Sequence, residues 1–484
     1  MKMINPAKTC FAFAAAAWIA AWSVGCAQAQ TNFQRLVNFF YGVQATNFYF
    51  GIQGTNIVSY PRGELIEGSD GYLYGAVELS AIPYAYGYSQ VMKGSVYRVA
   101  KDGSQFTVLH NFPSGNRGVY PISGLLEASD GNLYGVTKCS SYWDDLDGVI
   151  YSLGKDGSNF RVLYAFGNPQ TNDTFEFPNG PLVEGDDGAL YGSTRTSFIF
   201  KINKDGNGFQ HVHVVQSMTS GLLLASDRRF YGCDGSLFVM NQDGTGFSYL
   251  YTPPTNNPGQ VVTSRPFEAS DGVLYGTSYG GGTSNLGTIF SIHTDGGGFQ
   301  ILHNFTGPDG ACPIGGLIEG HDGSLYGTAN KIGTNSCGVI FKINKDGSGF
   351  QALRYLNGAD AAFPEGALLL ASDGAFYGSS GADFNSGYVY AYGPNGNGST
   401  LFKLFSTQPI ISFSGIQAGT NGVTLNLSGG AAGQNLNIQA TADPSNTNGW
   451  QVIGSATAAV DGTFQFTDTN APSFSARFYR GAAQ

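Results

Sequence analysis

The residues of this sequence best suited to chemistry are flat aromatic side chains set beside carboxylates. Trp143 lies in a polar stretch between Tyr142 and the two acidic residues Asp144 and Asp145. Aromatic faces stack on the C–H surfaces of sugar rings, and carboxylates accept hydrogen bonds from sugar hydroxyls. This combination predicts a carbohydrate-binding site.

Similar side chains occur in neighbouring segments of the sequence. The residues that we expect to contact a ligand are Trp143, Tyr142, Tyr84, Tyr86, Tyr88 and Arg195. Paired carboxylates also perform glycoside hydrolysis, in which one acts as acid and the other as base or nucleophile. In a catalytic protein these groups would come from Asp144, Asp145, Asp173 and Glu176. The alternative is that the segments are long loops that pack on themselves.

Two short motifs are better explained as parts of strands. The segment 276–280 matches the G-x-S-x-G motif of serine hydrolases, but it enters a Gly-rich loop and not the helix that the motif requires. His211 and His213 alternate along a predicted strand and would share a face, yet no carboxylate adjoins them. We therefore expect no metal site and no cofactor.

The candidate residues belong to a sevenfold internal repeat. The theme Ser-Asp-Gly-x-Leu-Tyr-Gly, or a close variant, recurs about every 50 residues, which is the size of a four-stranded propeller blade. Its copies are 69–75, 129–135, 186–192, 226–232, 270–276, 321–327 and 372–378. Each repeat divides into four strands, A to D, with Asp-Gly turns between A and B and between C and D.

These repeats predict an all-β fold, a seven-bladed β-propeller followed by a small C-terminal β-sandwich. Seven sheets arranged radially bury their apolar faces against one another, whereas a linear solenoid is the main rival. The segment 33–39 matches strand D, which suggests that it closes the ring against the last blade. The segment 401–405 has the same pattern, so either segment is a candidate for closure.

The predicted binding residues lie where the repeat varies. If the Asp-Gly turns occupy one end of the ring, the B-to-C and D-to-A connections share the other end, and these vary in length and composition as binding loops do. The aromatic and acidic candidates fall in repeats one to three, which are neighbours. We therefore expect them to converge on one sector.

The complete repeat pattern resembles a known family. A Pro, two small residues and Leu precede the theme, and Gly-x-Ile-Phe-x-Ile and Phe-x-x-Leu-x-x-Phe follow it, most clearly in 267–305 and 313–350. This pattern is similar to the GloVer tandem repeat of exported bacterial choice-of-anchor proteins. The resemblance covers residues 33 to 405, and the fourth repeat departs from it most. It implies the repeat fold and export, and it carries over no active site.

The two ends of the chain differ from the repeats. Residues 1–29 contain two Lys, an apolar stretch and Ala27-Gln28-Ala29, which predicts a cleaved signal peptide, with acylation of Cys26 as an alternative. We divide the chain into a signal peptide (1–29), a propeller (30–407) and a C-terminal domain (408–484) for attachment or sorting. The expected location is periplasmic, on the outer surface or secreted, with no transmembrane span in the mature chain.

Composition narrows the range of partners. The 484 residues include 71 Gly, 27 Tyr and 35 Phe and only 12% charged residues, which favours short strands and tight turns. The formal net charge is −10 and no basic run is present, so we expect no nucleic-acid partner. Cys312 and Cys337 fall in one repeat and are expected to form a disulfide in an oxidising compartment, two buried thiols being the alternative.

Together these features favour non-catalytic binding of an extracellular ligand. We predict a monomeric, exported β-propeller that binds a polysaccharide or a cell-surface component. The first alternative is a carbohydrate-active hydrolase or lyase, and the second is a structural or adhesion surface protein. Glycan binding measured together with the release of reducing ends separates the three.

Overall fold

We describe the fold from a computed structural model of the chain. Every regular element among the described residues is a β-strand. Those residues include no helix with the length and apolarity that a membrane crossing requires. The predicted signal peptide, 1–29, lies outside them. The described residues are 33–39, 57–81, 94–112, 120–121, 123–138, 148–167, 178–195, 198–216, 218, 220–254, 261–330, 337–356, 361–364, 366–381, 399–404, 412–419, 422–428, 435–441, 451–457, 459, 463–470 and 478–483.

The repeats form seven antiparallel sheets, the blades of a β-propeller, which we number in chain order. The chain begins its regular structure with β1 (Phe33–Phe39). Blade 1 contains β2 (Ile57–Glu67), β3 (Leu73–Ala81), β4 (Gly94–Val99) and β5 (Thr107–Phe112). Blade 2 contains β6 (Tyr120–Pro121), β7 (Leu126–Glu127), β8 (Leu133–Lys138), β9 (Val149–Leu153) and β10 (Arg161–Ala165), and both β6 and β7 pair with β8. Blade 3 contains β11 (Pro178–Glu184), β12 (Leu190–Thr194), β13 (Phe198–Ile202) and β14 (Gln210–Val214).

The remaining blades repeat the same strand order. Blade 4 contains β15 (Leu223–Leu224), β16 (Phe230–Cys233), β17 (Leu237–Met240) and β18 (Ser248–Tyr251). Blade 5 contains β19 (Phe267–Glu268), β20 (Val273–Ser278), β21 (Thr288–His293) and β22 (Gln300–Asn304). Blade 6 contains β23 (Ile318–Glu319), β24 (Leu325–Ala329), β25 (Val339–Ile343) and β26 (Gln351–Tyr355). Blade 7 contains β27 (Leu369–Leu370), β28 (Phe376–Ser380), β29 (Ser399–Leu404) and, as its fourth strand, β1.

Strand β1 closes the ring. It pairs antiparallel with β29, with Phe33 opposite Leu404 and Phe39 opposite Ser399. Because β29 pairs on its other side with β28, β29 is strand C of blade 7 and β1 is strand D. Closure by the N-terminal strand is therefore confirmed, and a linear solenoid is excluded. The interpretation of 401–405 as a D strand is wrong, since this segment occupies the C position.

The last Gly of each sequence theme, in strand B, leaves room for an aromatic side chain of strand C. A Cβ atom at this Gly would lie 2.7 Å or less from an aromatic side chain of strand C. The seven pairs are Gly75 with Tyr97, Gly135 with Tyr151, Gly192 with Phe200, Gly232 with Phe238, Gly276 with Phe290, Gly327 with Phe341 and Gly378 with Phe402. A side chain at this position would force the aromatic ring to shift, which explains why the Gly recurs.

Neighbouring blades also pack through stacked side chains on their outer strands. The stacked pairs and their ring-centroid distances are His110 and Phe160 at 3.6 Å, Tyr164 and Phe209 at 3.7 Å, His213 and Phe247 at 4.3 Å, Tyr251 and Phe299 at 4.0 Å, and His303 and Phe350 at 3.9 Å. Arg354 takes the same position over Phe33 of blade 7. His213 is thus a packing residue between blades, and His211 stacks separately on Phe198 at 4.3 Å.

The chain divides into two compact units. The larger comprises Met1–Ser372 and Phe376–Leu404, and the smaller comprises Asp373–Ala375 and Phe405–Gln484. The smaller unit contains two three-stranded sheets, ordered β30-β31-β34 and β33-β32-β35. Their strands are β30 (Ser412–Gly419), β31 (Gly422–Ser428), β32 (Asn435–Thr441), β33 (Gln451–Thr457), β34 (Phe464–Asp468) and β35 (Phe478–Ala483). Leu425, Ile438 and Phe464, which come from both sheets, share one buried apolar cluster.

The predicted disulfide between Cys312 and Cys337 is not formed, since both side chains are thiols. Cys337 is buried in the apolar cluster that contains Phe376 of blade 7. Cys312, by contrast, donates its backbone N–H to the carbonyl of Leu286 in blade 5 at 2.8 Å. The two cysteines belong to one repeat but contact different neighbouring blades.

Candidate functional site

The propeller has two chemically different ends, which we call the turn end and the loop end. The turn end carries the A–B and C–D hairpins, and there the Asp of each theme serves the hairpin itself. In blade 2, Asp130 accepts hydrogen bonds from the Asn132 N–H at 3.1 Å and the Tyr134 hydroxyl at 2.7 Å. The Asp-Gly turns are thus held by local hydrogen bonds. Among the described residues, no three or more His, Cys, Asp or Glu side chains are grouped so that they could hold a metal ion.

A set of Ser, Glu and Lys side chains, which we call the turn-end belt, ties the A–B turns of five blades to the next blade. The N–H and hydroxyl of Ser69 donate to Glu127 at 2.8 and 2.6 Å, and the Lys155 Nζ lies 2.8 Å from the same carboxylate. Equivalent groups join blades 2 and 3, 4 and 5, 5 and 6, and 7 and 1. They are Ser129, Glu184 and Lys204; Ser226 and Glu268; Ser270, Glu319 and Lys345; and Ser372, Glu67 and Lys101.

The irregular fourth repeat contains a different form of the belt. Between blades 3 and 4, Asp186 of the third repeat takes the place of the belt Ser, Gln242 that of the Lys and Leu224 that of the Glu. Arg228, which replaces the turn Gly, adopts a φ of 67° and its Nε donates to Asp186 at 2.8 Å. Gln242 donates to the same carboxylate at 2.9 Å. The departure from the repeat therefore has a structural cause, because an ion pair joins blades 3 and 4 in place of the usual triad.

The belt predicts that acid destabilises the propeller. Burial raises the pKa of Glu127, but hydrogen bonds from Lys155 and Ser69 outweigh it and lower the pKa below its usual 4.5. A lowered native pKa stabilises the fold above the unfolded pKa, and this stabilisation is lost as the pH falls through the native value. We therefore expect the urea midpoint to be lower at pH 3 than at pH 7, and the difference to be smaller in Glu127→Gln.

Glu268 provides the matched control for this measurement. It accepts the same two hydrogen bonds from Ser226, but within the described residues no Lys pairs with it. Glu268→Gln should therefore reduce the pH dependence less than Glu127→Gln does. Equal pH dependence in wild type and Glu127→Gln would contradict the role given to the belt.

An open depression of about 820 Å³ lies among the turns of blades 7, 1 and 2. It is lined by Glu67, Ser69, Glu127, Ser129 and Ser372, together with turn Gly residues and Ala128. All five side chains belong to the belt and bond to one another or to its Lys residues. The depression is thus built from groups that hold the blades together.

An ion pair spans the axis of the propeller. The residue five positions before each theme is Glu64, Gly124, Pro181, Gly221, Arg265, Gly316 or Ala367 in blades 1 to 7. Arg265 donates through Nη2 to the Glu64 carboxylate at 2.5 Å. Blades 1 and 5 are not neighbours in the ring, so the pair crosses the central channel. A ligand that enters the central channel from either end of the propeller would therefore meet this ion pair.

Nine predicted site residues lie outside the described residues: Tyr84, Tyr86, Tyr88, Tyr142, Trp143, Asp144, Asp145, Asp173 and Glu176. Arg195 is described, and it is exposed directly after β12.

Three further side chains lie at the loop end of blades 1 and 2. Lys138 ends β8, and its Nζ lies 3.6 Å from the Glu78 carboxylate near the end of β3. The same Nζ is 5.8 Å from the centre of the Tyr120 ring. Glu78 is largely buried and Lys138 is half-buried. The sequence offered a partial signal for two of these residues, since Glu78 and Lys138 each stand three residues after the last Gly of their theme, where only Arg195 is also charged in the other repeats.

The G-x-S-x-G motif does not form a catalytic site. Ser278 is buried, and its hydroxyl donates to the Gly280 carbonyl at 2.8 Å and lies 2.7 Å from the Thr288 hydroxyl. The strand continues into a hydrogen-bonded loop, in which the Gly287 N–H donates to the Gly281 carbonyl at 3.3 Å. A nucleophilic serine would need a neighbouring base and an exposed position on a strand-to-helix turn.

Comparisons with known proteins identify the repeat. A family model described as the Gloeobacter/Verrucomicrobia repeat matches residues 36–234 and 226–436. No curated protein matches the sequence. Among solved structures, an oligogalacturonate lyase in complex with manganese is 13% identical over 72% of this chain and 90% of its own, with a TM-score of 0.48.

Two further solved structures are similarly distant. An oligogalacturonate lyase from Vibrio parahaemolyticus is 12% identical over 77% of this chain and 96% of its own, with a TM-score of 0.47. PorZ, a surface component of the type-IX secretion system of Porphyromonas gingivalis, is 13% identical over 91% of this chain and 61% of its own, with a TM-score of 0.44. At such scores these similarities carry no argument about activity.

Proposed function

Because the chain belongs to the Gloeobacter/Verrucomicrobia repeat family, we propose that it is an exported, non-catalytic β-propeller that binds an extracellular polysaccharide at the loop end of blades 1 to 3. Family membership supports the propeller. The ligand class rests on the side-chain chemistry at this end of the ring. Arg195, exposed in blade 3, belongs to the proposed surface.

The observation that carries the proposal is the ion pair between Glu78 and Lys138. It links β3 of blade 1 to β8 of blade 2, with the Lys138 Nζ 3.6 Å from the Glu78 carboxylate. These strands lead into the two B-to-C connections whose sequences contain Tyr84, Tyr86, Tyr88 and Trp143. Connections that begin beside one ion pair favour a shared surface. Aromatic rings next to carboxylates and amines are the groups that recognise sugar faces and hydroxyls.

Export and attachment complete the proposal. The predicted signal peptide, 1–29, supports passage through a membrane by the secretory route. The C-terminal domain, 408–484, is in this proposal a small β-sandwich that attaches or sorts the protein, which its two three-stranded sheets with a common apolar cluster support.

Substitution of Trp143 tests the binding surface. We expect Trp143→Ala to weaken retention on the preferred polysaccharide of a glycan array about tenfold, because it removes a stacking platform worth roughly 1.4 kcal/mol. Trp143→Phe retains a flat ring and should retain most of the affinity. Neither variant should change the melting temperature by more than about 2 °C, which calorimetry would check.

Two results would contradict this proposal. Unchanged retention by Trp143→Ala would remove the ring from the binding surface, and a large loss of thermal stability would show that it packs within its own loop. Release of new reducing ends from the bound polysaccharide would overturn the non-catalytic assignment. In that case Asp144→Asn and Glu176→Gln should abolish the release.

A further inference from the structure

Exposed aromatic side chains occur at the loop end of blades 4 and 5. Among the described residues, the large apolar side chains with substantial exposure are Val162, Val214, Tyr249, Tyr279 and Val452. Two of these are aromatic, with Tyr249 44% exposed and Tyr279 40% exposed. Leaving such rings in water forgoes part of their burial energy, so exposed rings near one another mark binding surfaces.

Asp234 lies beside the first of these rings. The Tyr249 hydroxyl donates to Asp234 Oδ2 at 2.9 Å. The Gln216 N–H donates to the same oxygen at 3.4 Å, and the Ser236 N–H donates to Oδ1 at 3.2 Å. A carboxylate accepts about four hydrogen bonds, so Asp234 retains capacity for a further donor. Within the described residues, no Lys or Arg forms an ion pair with it.

The second ring is joined to Asp234 through the backbone. Gly235 forms an antiparallel bridge with Val262, which in turn bridges Ser278. Tyr279 directly follows Ser278. Neighbouring strands lie about 4.8 Å apart, so two bridges place the backbones of Gly235 and Ser278 roughly 10 Å apart. Asp234 and the two tyrosines therefore occupy one stretch of the loop end.

The loop that follows Tyr279 is held by its own hydrogen bonds. The Gly281 N–H donates to the Asn285 side chain at 2.8 Å, and the Thr283 N–H donates to the Asn304 side chain at 3.2 Å. Tyr249 is fixed as well, because its ring packs edge-on against Phe247 at 5.2 Å. The Tyr249 ring, held in this way, loses little conformational entropy when a ligand stacks on it, and Tyr279 adjoins a loop whose backbone is already ordered by hydrogen bonds.

We propose that Tyr249, Asp234 and Tyr279 form a second saccharide subsite, separate from the sector on blades 1 to 3, for a neutral oligosaccharide. The two rings stack on sugar faces, and Asp234 accepts a hydrogen bond from a sugar hydroxyl. The unneutralised charge of Asp234 and the formal net charge of −10 disfavour uronates and other anionic sugars. The proposal goes beyond the proposed function because it names other blades and a narrower ligand class.

Calorimetric titration of the full chain with defined hexasaccharides tests the subsite. The probes are cellohexaose, laminarihexaose and mannohexaose, with hexagalacturonate as the anionic comparison. We expect at least one neutral hexasaccharide to bind, and Tyr249→Ala and Tyr279→Ala each to weaken it about tenfold. Asp234→Asn should weaken it severalfold. Tyr249→Phe and Tyr279→Phe keep the rings and should bind within about threefold of wild type.

The controls separate this subsite from the first one. Val162→Ala removes an exposed side chain of blade 2 and should change nothing. If Trp143→Ala alone reduces affinity, the second subsite is wrong and the proposed function stands. If the tyrosine variants alone reduce affinity, the second subsite is supported and the proposed binding surface on blades 1 to 3 is wrong. The inference is overturned if no neutral hexasaccharide binds or if only hexagalacturonate binds. If Tyr249→Ala fails to fold, the affinity of Tyr279→Ala tests the subsite.

Discussion

Gly180→Ala is expected to lower the free energy of unfolding of the propeller by about 2–5 kcal/mol. Gly180 interrupts the pairing of β11 with β12 and has a φ of 78°. A Cβ there would lie 2.5 Å from the Gly221 Cα, just before β15 of blade 4. The substitution therefore combines left-handed backbone strain with a clash against backbone that cannot rotate away. Urea unfolding followed by circular dichroism measures the loss.

Gly188→Ala separates the two causes within the same blade. Gly188 has a φ of 74°, but a Cβ there would have no atom within 4 Å. Gly188→Ala should therefore lower the free energy of unfolding through backbone strain alone, by about 1–2 kcal/mol. Blade 1 offers the same comparison, since a Cβ at Gly63 would lie 2.5 Å from the Gly124 nitrogen, whereas one at Gly71 meets nothing. Equal losses at the crowded and open positions would refute the close approach of neighbouring inner strands.

Removal of β1 should open the ring and cost about 3–6 kcal/mol of stability, from the burial of Val37 and Phe39 alone. Both side chains are buried, and Phe39 packs against Tyr97 of blade 1 at 5.5 Å. At the other end of the strand, Phe33 stacks on Phe402 at 5.2 Å. A single strand thus holds blade 7 and touches blade 1. A chain that begins at residue 40 should melt at a clearly lower temperature than the wild type.

Addition of the missing strand in trans provides the test of specificity. A synthetic peptide of residues 33–39 should raise the melting temperature of the shortened chain in a concentration-dependent way, because it binds only the folded ring. The same peptide with Phe39→Asp should not. A shortened chain as stable as the wild type, or one indifferent to the peptide, would contradict closure by β1.

Much of the fold could be predicted from the sequence because it depends on local chemistry. Each Asp130-type carboxylate bonds to the backbone two residues later, and the next residue, a Gly in six of the seven copies, has a positive φ. The residues that form each A–B turn therefore lie within a few positions of one another. The Gly that follows Tyr recurs because strand C always places a ring against it. The period of these signals sets the number of blades.

The candidate site could be predicted much less completely. The sequence directed attention to Trp143 and its neighbours, which lie outside the described residues, and gave no weight to Glu78, Lys138, Asp234 or Tyr249. The importance of these four side chains depends on strand ends in neighbouring blades or on a contact between an outer strand and a turn. The repeat shows where Glu78 and Lys138 stand, but it does not show that side chains of neighbouring blades or of separate elements meet.

The sequence by itself determined the all-β class, the seven blades and their hairpins, because turn chemistry and strand alternation act over a few residues and the repeat copies them. Only the tertiary structure decided which segment closes the ring, where the belt bonds, and that Cys312 and Cys337 remain thiols. It also revealed the pair of Glu64 and Arg265 across the axis, 201 residues apart. These contacts depend on how the blades are arranged around the axis, and that arrangement is fixed only when the ring closes.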